Sequence, residues 1–375
     1  MYDRWVRAAV QGQVSGVVLI DLSAAFDLVE SGLILKKLKI YGLDNDFCTW
    51  IDSYLQNRYQ AVWIDHVFSE FLHNNIGVPQ GSNLGPLFFL IFYNDLLISL
   101  DCEIDVYADD STLSETGKTV AEIGSKLTEN CRKVTNWMNG NQFKLNASKT
   151  HLLMAGTQER LRNSEQLEVY MDGVRLEESS EKCEQLLGVE IQANLKWHSQ
   201  VAKLKGKLKT RLVGLAKLKY VLPFDTRKTL TLGIFNSVLV YCLPLFGGCG
   251  MGEVRDLQLL QNKAAQIVSH KPPHTSRAEL FYKLMWMTVN QLIVYHTLLT
   301  IFKIRLTGEP EYLASILKND TRTGRIFIPN TKLGLATKSF CFRGSSDWNS
   351  LPSNIRSTKK IGAKKWVFEN TTRFI

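Results

Sequence analysis

The chain has 375 residues, of which 45% are hydrophobic and 10% aromatic, and 45 Lys and Arg stand against 36 Asp and Glu for a net charge of +9. That length and apolar content exclude a disordered chain and leave room for two or three folded domains. Seven scattered cysteines with no Cys-x-x-Cys pair argue against a disulfide framework or a zinc site, and fit reduced thiols in an intracellular protein, nuclear or cytoplasmic. Asp3, Arg4 and Arg7 interrupt the N-terminus, so no secretory signal is read there. The most apolar stretch, 234–248, contains Asn236, Ser237 and Pro244 and is too short for a membrane span, so no membrane partner is expected.

In chain order, Val17 to Ile20 are four apolar residues that predict a buried strand delivering Asp21 at its end. Residues 32–38 and 44–55 predict helices, the second opening on an Asp44 cap. Asp27 and Glu30 have capping-box-like spacing for the first of them. Residues 59–64 alternate like a strand. Residues 77–86, GVPQGSNLGP, predict an irregular loop whose glycines allow close backbone approach. Ser82 is placed to cap a buried helix over 87–97. Tyr107-Ala108-Asp109-Asp110 lies between two short apolar runs and predicts a hairpin tip carrying two carboxylates.

Residues 119–138 predict an amphipathic helix ending at Asn139-Gly140. Residues 151–155, 167–171 and 186–191 predict strands, with Asp172-Gly173 as a hairpin turn. Helices on one face of a mainly antiparallel sheet make an α+β fold. From Trp197 the pattern changes. Leu204, Leu208, Leu212, Leu215 and Leu218 recur at helical spacing, interleaved with Lys203, Lys205, Lys207, Lys209, Arg211, Lys217 and Lys219. This is a helix with a basic outer face, either simply solvated or laid along a phosphate backbone. Helices over 226–243 and 254–268 follow, then a linker at 270–274 and a mainly helical remainder.

Two neighbouring carboxylates repel, so a site that keeps both ionised usually has a cation to neutralise them. Alone, Asp109 and Asp110 would equally suit a solvated turn. Their company carries the argument: a strand ending in an Asp, a Gly-Val-Pro-Gln-Gly loop opening a helix, then the Ala-Asp-Asp hairpin.

This constellation resembles the reverse transcriptases, most closely those of non-LTR (LINE-type, jockey-like) retrotransposons. The matching segments are DLSAAFD at 21–27, SYLQNRYQ at 53–60, GVPQGSNLGPLFF at 77–89 and YADD at 107–110. Looser matches are Asn146 to Thr150, Leu186-Leu187-Gly188, Ser339-Phe340 and Trp348 to Pro352. Gln192 stands where the family commonly has an aspartate. The resemblance implies a right-hand polymerase: a palm with partial fingers over 1–195, a helical thumb over 196–270 and a helical C-terminal region over 271–375. It implies RNA-directed DNA synthesis on an RNA template from a DNA primer with dNTPs. Two magnesium ions, with manganese as a substitute, would be held by Asp21, Asp109, Asp110 and the backbone carbonyl of Leu22.

The resemblance further assigns Lys149 to the leaving pyrophosphate and Phe26 to a steric gate under the incoming sugar. Gln80, with Gly81, is assigned to the nucleotide or template base. Tyr107 belongs near the primer end or in the core, Leu187 and Gly188 to a primer grip, and Lys205 and Lys209 to nucleic acid. Only about twenty residues precede Asp21, so an N-terminally truncated, C-terminal part of a retrotransposon polyprotein is expected. The alternative is a nucleic-acid-binding remnant that folds but does not polymerise. Oligomeric state is not legible.

Overall fold

The structure is a computed structural model that describes residues 1–22, 25–74, 76–143, 149–271, 275–317, 323–328, 331, 334–356 and 361–369. The chain packs as two compact units, Gln11–Lys182 with Met1, and Cys183–Ile375 with Tyr2–Val10. The division falls between Lys182 and Cys183, ahead of the expected border at 195, and residues on both sides of the expected border at 270 belong to the second unit.

Helix α1 (Tyr2–Val10) opens the chain and packs in the second unit. The first unit is built on β1 (Val14–Ile20), followed by α2 (Ser31–Ile40) and α3 (Asn45–Leu55). As expected, Asp44 caps α3, its carboxylate accepting from Phe47 N at 2.7 Å. The expected strand over 59–64 is instead two short strands of a hairpin. β2 (Arg58–Gln60) pairs β5 (Leu72–Asn74), and β3 (Trp63–Ile64) pairs β4 (Val67–Phe68). The register shifts by one residue between the two pairs, so a bulge interrupts what reads as continuous alternation.

Next come α4 (Leu84–Ile98), β6 (Glu103–Tyr107), β7 (Asp110–Gly117), α5 (Val120–Gly140) and β8 (His151–Ala155). The four-stranded sheet has the order β6-β7-β1-β8 and every pairing is antiparallel, so the α+β class holds. Phe88, Phe89, Phe92, Tyr93 and Leu96 of α4 share one core with Ile123, Leu127, Cys131, Val134 and Met138 of α5 and with Val14, Val18 and Ile20 of β1. Each such fully buried Phe or Leu contributes about 1.5–3 kcal/mol. Gly16 lets α5 approach the sheet, for a Cβ there would sit 2.6 Å from Ile123 and 2.7 Å from Leu127.

Helix α6 (Gln158–Asn163) precedes the hairpin of β9 (Tyr170–Met171) and β10 (Val174–Arg175), which turns on Asp172-Gly173 as expected, both at positive φ. The expected strand over 167–171 is real only at 170–171. Leu167 and Val169 are buried in the core without joining a ladder.

In the second unit, the expected strand over 186–191 is a hairpin of β11 (Cys183–Leu186) and β12 (Val189–Gln192), with Leu187-Gly188 as its tip. Helix α7 (His198–Lys217) buries Leu204, Leu208, Leu212 and Leu215 and packs on the later helix Met251–Ser269. Gln192 receives Ser199 N on its side-chain oxygen at 3.1 Å, so a glutamine performs the helix-start bond that an aspartate would. The expected helix over 226–243 is present as a continuous helical run from Phe224 to Val240, α8 (Phe224–Thr231), a π-helical turn at Leu232–Asn236 and α9 (Ser237–Val240), and it ends three residues early, before the short α10 (Leu243–Phe246). Cys242, in the left-handed region at φ +52, makes the break before α10.

Then follow α11 (Met251–Ser269), α12 (Arg277–Leu284) and α13 (Val289–Thr307). Of the expected linker, 272–274 lie outside the described residues. Residues 277–307 are long and apolar enough to cross a membrane by length and composition, unlike 234–248, and 56% of their apolar window is buried inside the structure. The later helices are α14 (Glu311–Ile316), α15 (Gly334–Thr337), α16 (Phe340–Ser350), α17 (Ser353–Arg356) and α18 (Ile361–Glu369). Asp3 of α1 accepts from Phe340 N and Cys341 N at 3.3 and 2.8 Å at the start of α16. The late Trp348 motif is structural. The indole is fully buried, donates to Gly324 O at 2.9 Å, and meets the Phe302 ring at 4.7 Å.

Candidate active site

Strand pairing brings the predicted acids to one end of the sheet. β1 and β7 run in register from Val14↔Gly117 to Ile20↔Ser111, and one further step sets Asp21 beside Asp110. Opposed residues in antiparallel strands have Cα atoms about 4.5–5.5 Å apart. β6 and β7 close on Tyr107↔Asp110, so Ala108 and Asp109 form the two-residue tip, with Ala108 left-handed at φ +54. Burial, then the charges of Asp109 and Asp21, push the Asp110 carboxyl above the usual range. Beneath it, Tyr93 of α4 is hydrogen-bonded to Ser111 at 2.9 Å. Burial pushes the Tyr93 phenol up to about 12, against its bond to Ser111 and with a smaller push from Asp109.

On the other side of β1, β8 pairs through Leu19↔His151, which brings Lys149, exposed and just ahead of β8, to the same end. Asn146, Ala147 and Ser148 of its motif, like Ser23 and Ala24 after Leu22, lie outside the described residues. Neighbouring carboxylate oxygens are a donor set suited to a hard divalent cation. Among the described residues, however, no group of three or more His, Cys, Asp or Glu is gathered tightly enough to hold a metal ion.

The glycine-rich loop is joined to the segment after Asp21. Gly77 N donates to Val29 O at 2.7 Å and Val78 N to Phe26 O at 2.9 Å. Gly77 lies at φ +80, and a Cβ on it would stand 2.8 Å from Asp27 Cα and 2.9 Å from the carbonyls of Asp27 and Phe26. No other residue fits this approach. Ser82 caps α4 as expected, accepting from Gly85 N at 2.8 Å. Gly85 is itself needed there, since a Cβ would meet Pro79 O at 2.7 Å. Gly81, at φ +81, faces open space.

The capping-box expectation for Asp27 fails. Glu30 alone caps α2, accepting from Gly32 N and Leu33 N at 3.0 and 2.6 Å. Asp27 instead accepts from Gln80 Nε2 at 2.8 Å. Sequence reasoning missed Arg58. Its guanidinium donates to Leu55 O at 2.8 Å, Ile76 O at 3.2 Å and Gly77 O at 2.5 Å, tying α3 to the loop. Its only signal was its place inside the 53–60 motif.

Phe26 is half-buried, its ring stacked on Phe89 of α4 at 4.5 Å and 23°. Leu22 is buried, 3% exposed. Tyr107 does not fill the core: it is 69% exposed at the base of the hairpin tip.

The remaining predicted residues lie in the second unit. Leu187 and Gly188 have φ of +46 and +78, and Tyr241 Oη donates to Leu187 O at 2.7 Å, holding the tip. The Lys205 ammonium is paired with Asp256 of α11, so its charge is already engaged. Lys207, Lys209 and Arg211 are exposed along the same helix.

The family model for reverse transcriptase (RNA-dependent DNA polymerase) matches residues 5–202. The chain is 26% identical over 297 residues to the probable RNA-directed DNA polymerase from transposon BS of Drosophila melanogaster, covering 75% of this chain and 32% of that protein. It is 24% identical over 270 residues to the RNA-directed DNA polymerase from mobile element jockey of the same organism, covering 68% and 28%. The chain thus spans about a third of the length of the curated relatives it matches. Among solved structures, apo telomerase from Candida tropicalis is similar at 11% identity and a TM-score of 0.42, covering 84% of this chain and 56% of that one. Enzymes of the matched family use divalent metal ions. With its family model matched over more than half its length and the three acids, the loop and the hairpin in the expected order, the chain belongs to the reverse transcriptase family.

Proposed function

We propose that the chain carries the nucleotidyl-transfer centre of an RNA-directed DNA polymerase from a non-LTR, jockey-like retrotransposon. Its substrates are an RNA template, a DNA primer and deoxynucleoside triphosphates, and its cofactor is a pair of magnesium ions. The observation that supports this best is the register that sets Asp21 beside Asp110, with Asp109 one residue away at the hairpin tip. Asp21, Asp109 and Asp110 would hold the ions, with the Leu22 carbonyl. Two such ions, when bound, lower the pKa of the primer hydroxyl and neutralise the leaving pyrophosphate. The bond formed joins the primer 3′-oxygen to the α-phosphorus; the bond broken is that to the bridging oxygen of the pyrophosphate.

In this reading Lys149 presents an ammonium to the leaving pyrophosphate and supplies charge or a proton. Phe26, held from behind by Phe89, fills the space a 2′-hydroxyl would need. Gln80 meets the incoming nucleotide, the Leu187-Gly188 tip supports the primer, and the exposed cations of α7 follow the backbone.

A second reading, a chain that binds nucleic acid without polymerising, is favoured by the lack of a three-ligand cluster among the described residues. Primer extension on an RNA template separates them. The polymerase reading expects magnesium-dependent dNTP incorporation that Asp109→Asn cuts by orders of magnitude while template binding persists. Binding without incorporation supports the second reading, and equal activity in the variant removes Asp109 from the catalytic set.

A further inference from the structure

We infer that Asp27 is a positioning residue for Gln80, fixing which end of that amide faces the nucleotide. The inference rests on the polymerase reading and deepens it. Gln80 Nε2 donates to Asp27 Oδ1 at 2.8 Å, across 53 residues of sequence. A carboxylate offers only acceptors, so only the NH2 end of the amide can face it. The carbonyl end, Oε1, is thereby turned away from Asp27. A glutamine with no such neighbour presents oxygen or nitrogen alike, and the bond converts it into an oriented acceptor.

The backbone holds the two segments side by side. The two hydrogen bonds at Gly77 and Val78 join the loop carrying Gln80 to the segment carrying Phe26 and Asp27, and Arg58 ties the same loop to α3. The segments carrying the Phe26 ring and the Gln80 amide are therefore joined, and the amide itself is held by Asp27. The substrate group that fits an oriented acceptor is a hydrogen-bond donor on the nucleotide, a sugar hydroxyl or a base amine.

The test uses the whole chain with an RNA template and a DNA primer. In Asp27→Asn the new amide can donate to Gln80 Oε1 and so reverse the glutamine. We expect KM for dNTP to rise about five- to tenfold, the worth of one ordinary hydrogen bond between the amide oxygen and the nucleotide, with melting temperature and template–primer affinity unchanged. In a Gln80→Ala background the same substitution should add nothing. Gln80→Glu sets two carboxylates against each other. Combining it with Asp27→Asn restores a donor–acceptor pair with an oxygen still facing outward, and KM should recover. Additive effects of D27N and Q80A, or no recovery in the double variant, overturn the inference. Selective 15N-glutamine labelling reads the bond without activity: the Gln80 side-chain signal, identified by its loss in Q80A, should shift in D27N. An unmoved signal also overturns the inference. An inactive parent chain would count against the polymerase reading, while the amide signal still decides the bond.

Discussion

Asp110 stands beside Asp21 because β7 and β1 stay in register up to Ser111 and Ile20. Burial and the neighbouring carboxylates raise the proton affinity of Asp110. A carboxyl raised in the folded state favours folding when protonated. That contribution is complete below the ordinary carboxylate range and is lost as pH rises through the raised value. Asp110→Asn should therefore raise the melting temperature at neutral pH by about 1–2 °C, the modest scale of a largely exposed charge, and the gain should shrink in acid. The same variant should lose incorporation. Magnesium should raise the melting temperature of the parent chain and not of the variant. A variant that melts lower at neutral pH would show that the acids do not burden the fold.

Gly77 and Gly81 have nearly the same φ but different surroundings. Gly77→Ala drives a methyl into the backbone of Asp27 and should cost about 2–3 kcal/mol, strain and collision together. Gly81→Ala meets nothing and should cost about 1 kcal/mol. Urea unfolding of both variants checks the difference, and equal losses would mean that the contact at Asp27 does not matter.

The stacking of Phe26 on Phe89 predicts a graded response. Phe26→Val should admit ribonucleotides. Phe89→Leu leaves the ring in place but loosens its support, and should relax sugar selectivity by a smaller factor. The readout is the ratio of kcat/KM for dNTP and rNTP. Unchanged selectivity in Phe26→Val would end the gate assignment.

Lys205 and Lys209 look alike in the sequence and differ in the fold. Lys209→Glu should weaken template–primer binding and reduce the salt slope by about one, with the fold unaffected. Lys205→Glu sets a carboxylate against Asp256 and should lower the melting temperature instead. Binding isotherms at several salt concentrations, beside melting curves, distinguish the two.

Much of the site was legible along the chain because its signals are local. Apolar residues running into Asp21, an Ala-Asp-Asp tip between strand-like runs, and glycines spaced to permit close approach are all short-range patterns. So were the Asp44 and Ser82 caps and the Asp172-Gly173 turn, each governed by one or two residues. The strands over 59–64 and 186–191 were misread because alternation cannot show a bulge or locate a reversal in the middle of a run. The helix over 226–243 was read correctly except at its end, which falls at Val240 because composition does not announce a left-handed Cys242.

The sequence by itself determined which acids, which loop and which basic helix are the candidates for the site, since those follow from residue type and spacing. Only the tertiary structure decided their partners. Strand pairing set Asp21 beside Asp110, the approach of two distant loops gave Asp27 to Gln80 and Arg58 to Gly77, and helix packing took Lys205 out of reach by giving it Asp256. The reason is physical: propensity acts over a few neighbouring residues, whereas a hydrogen bond or an ion pair joins whatever the packed core brings within about 3 Å.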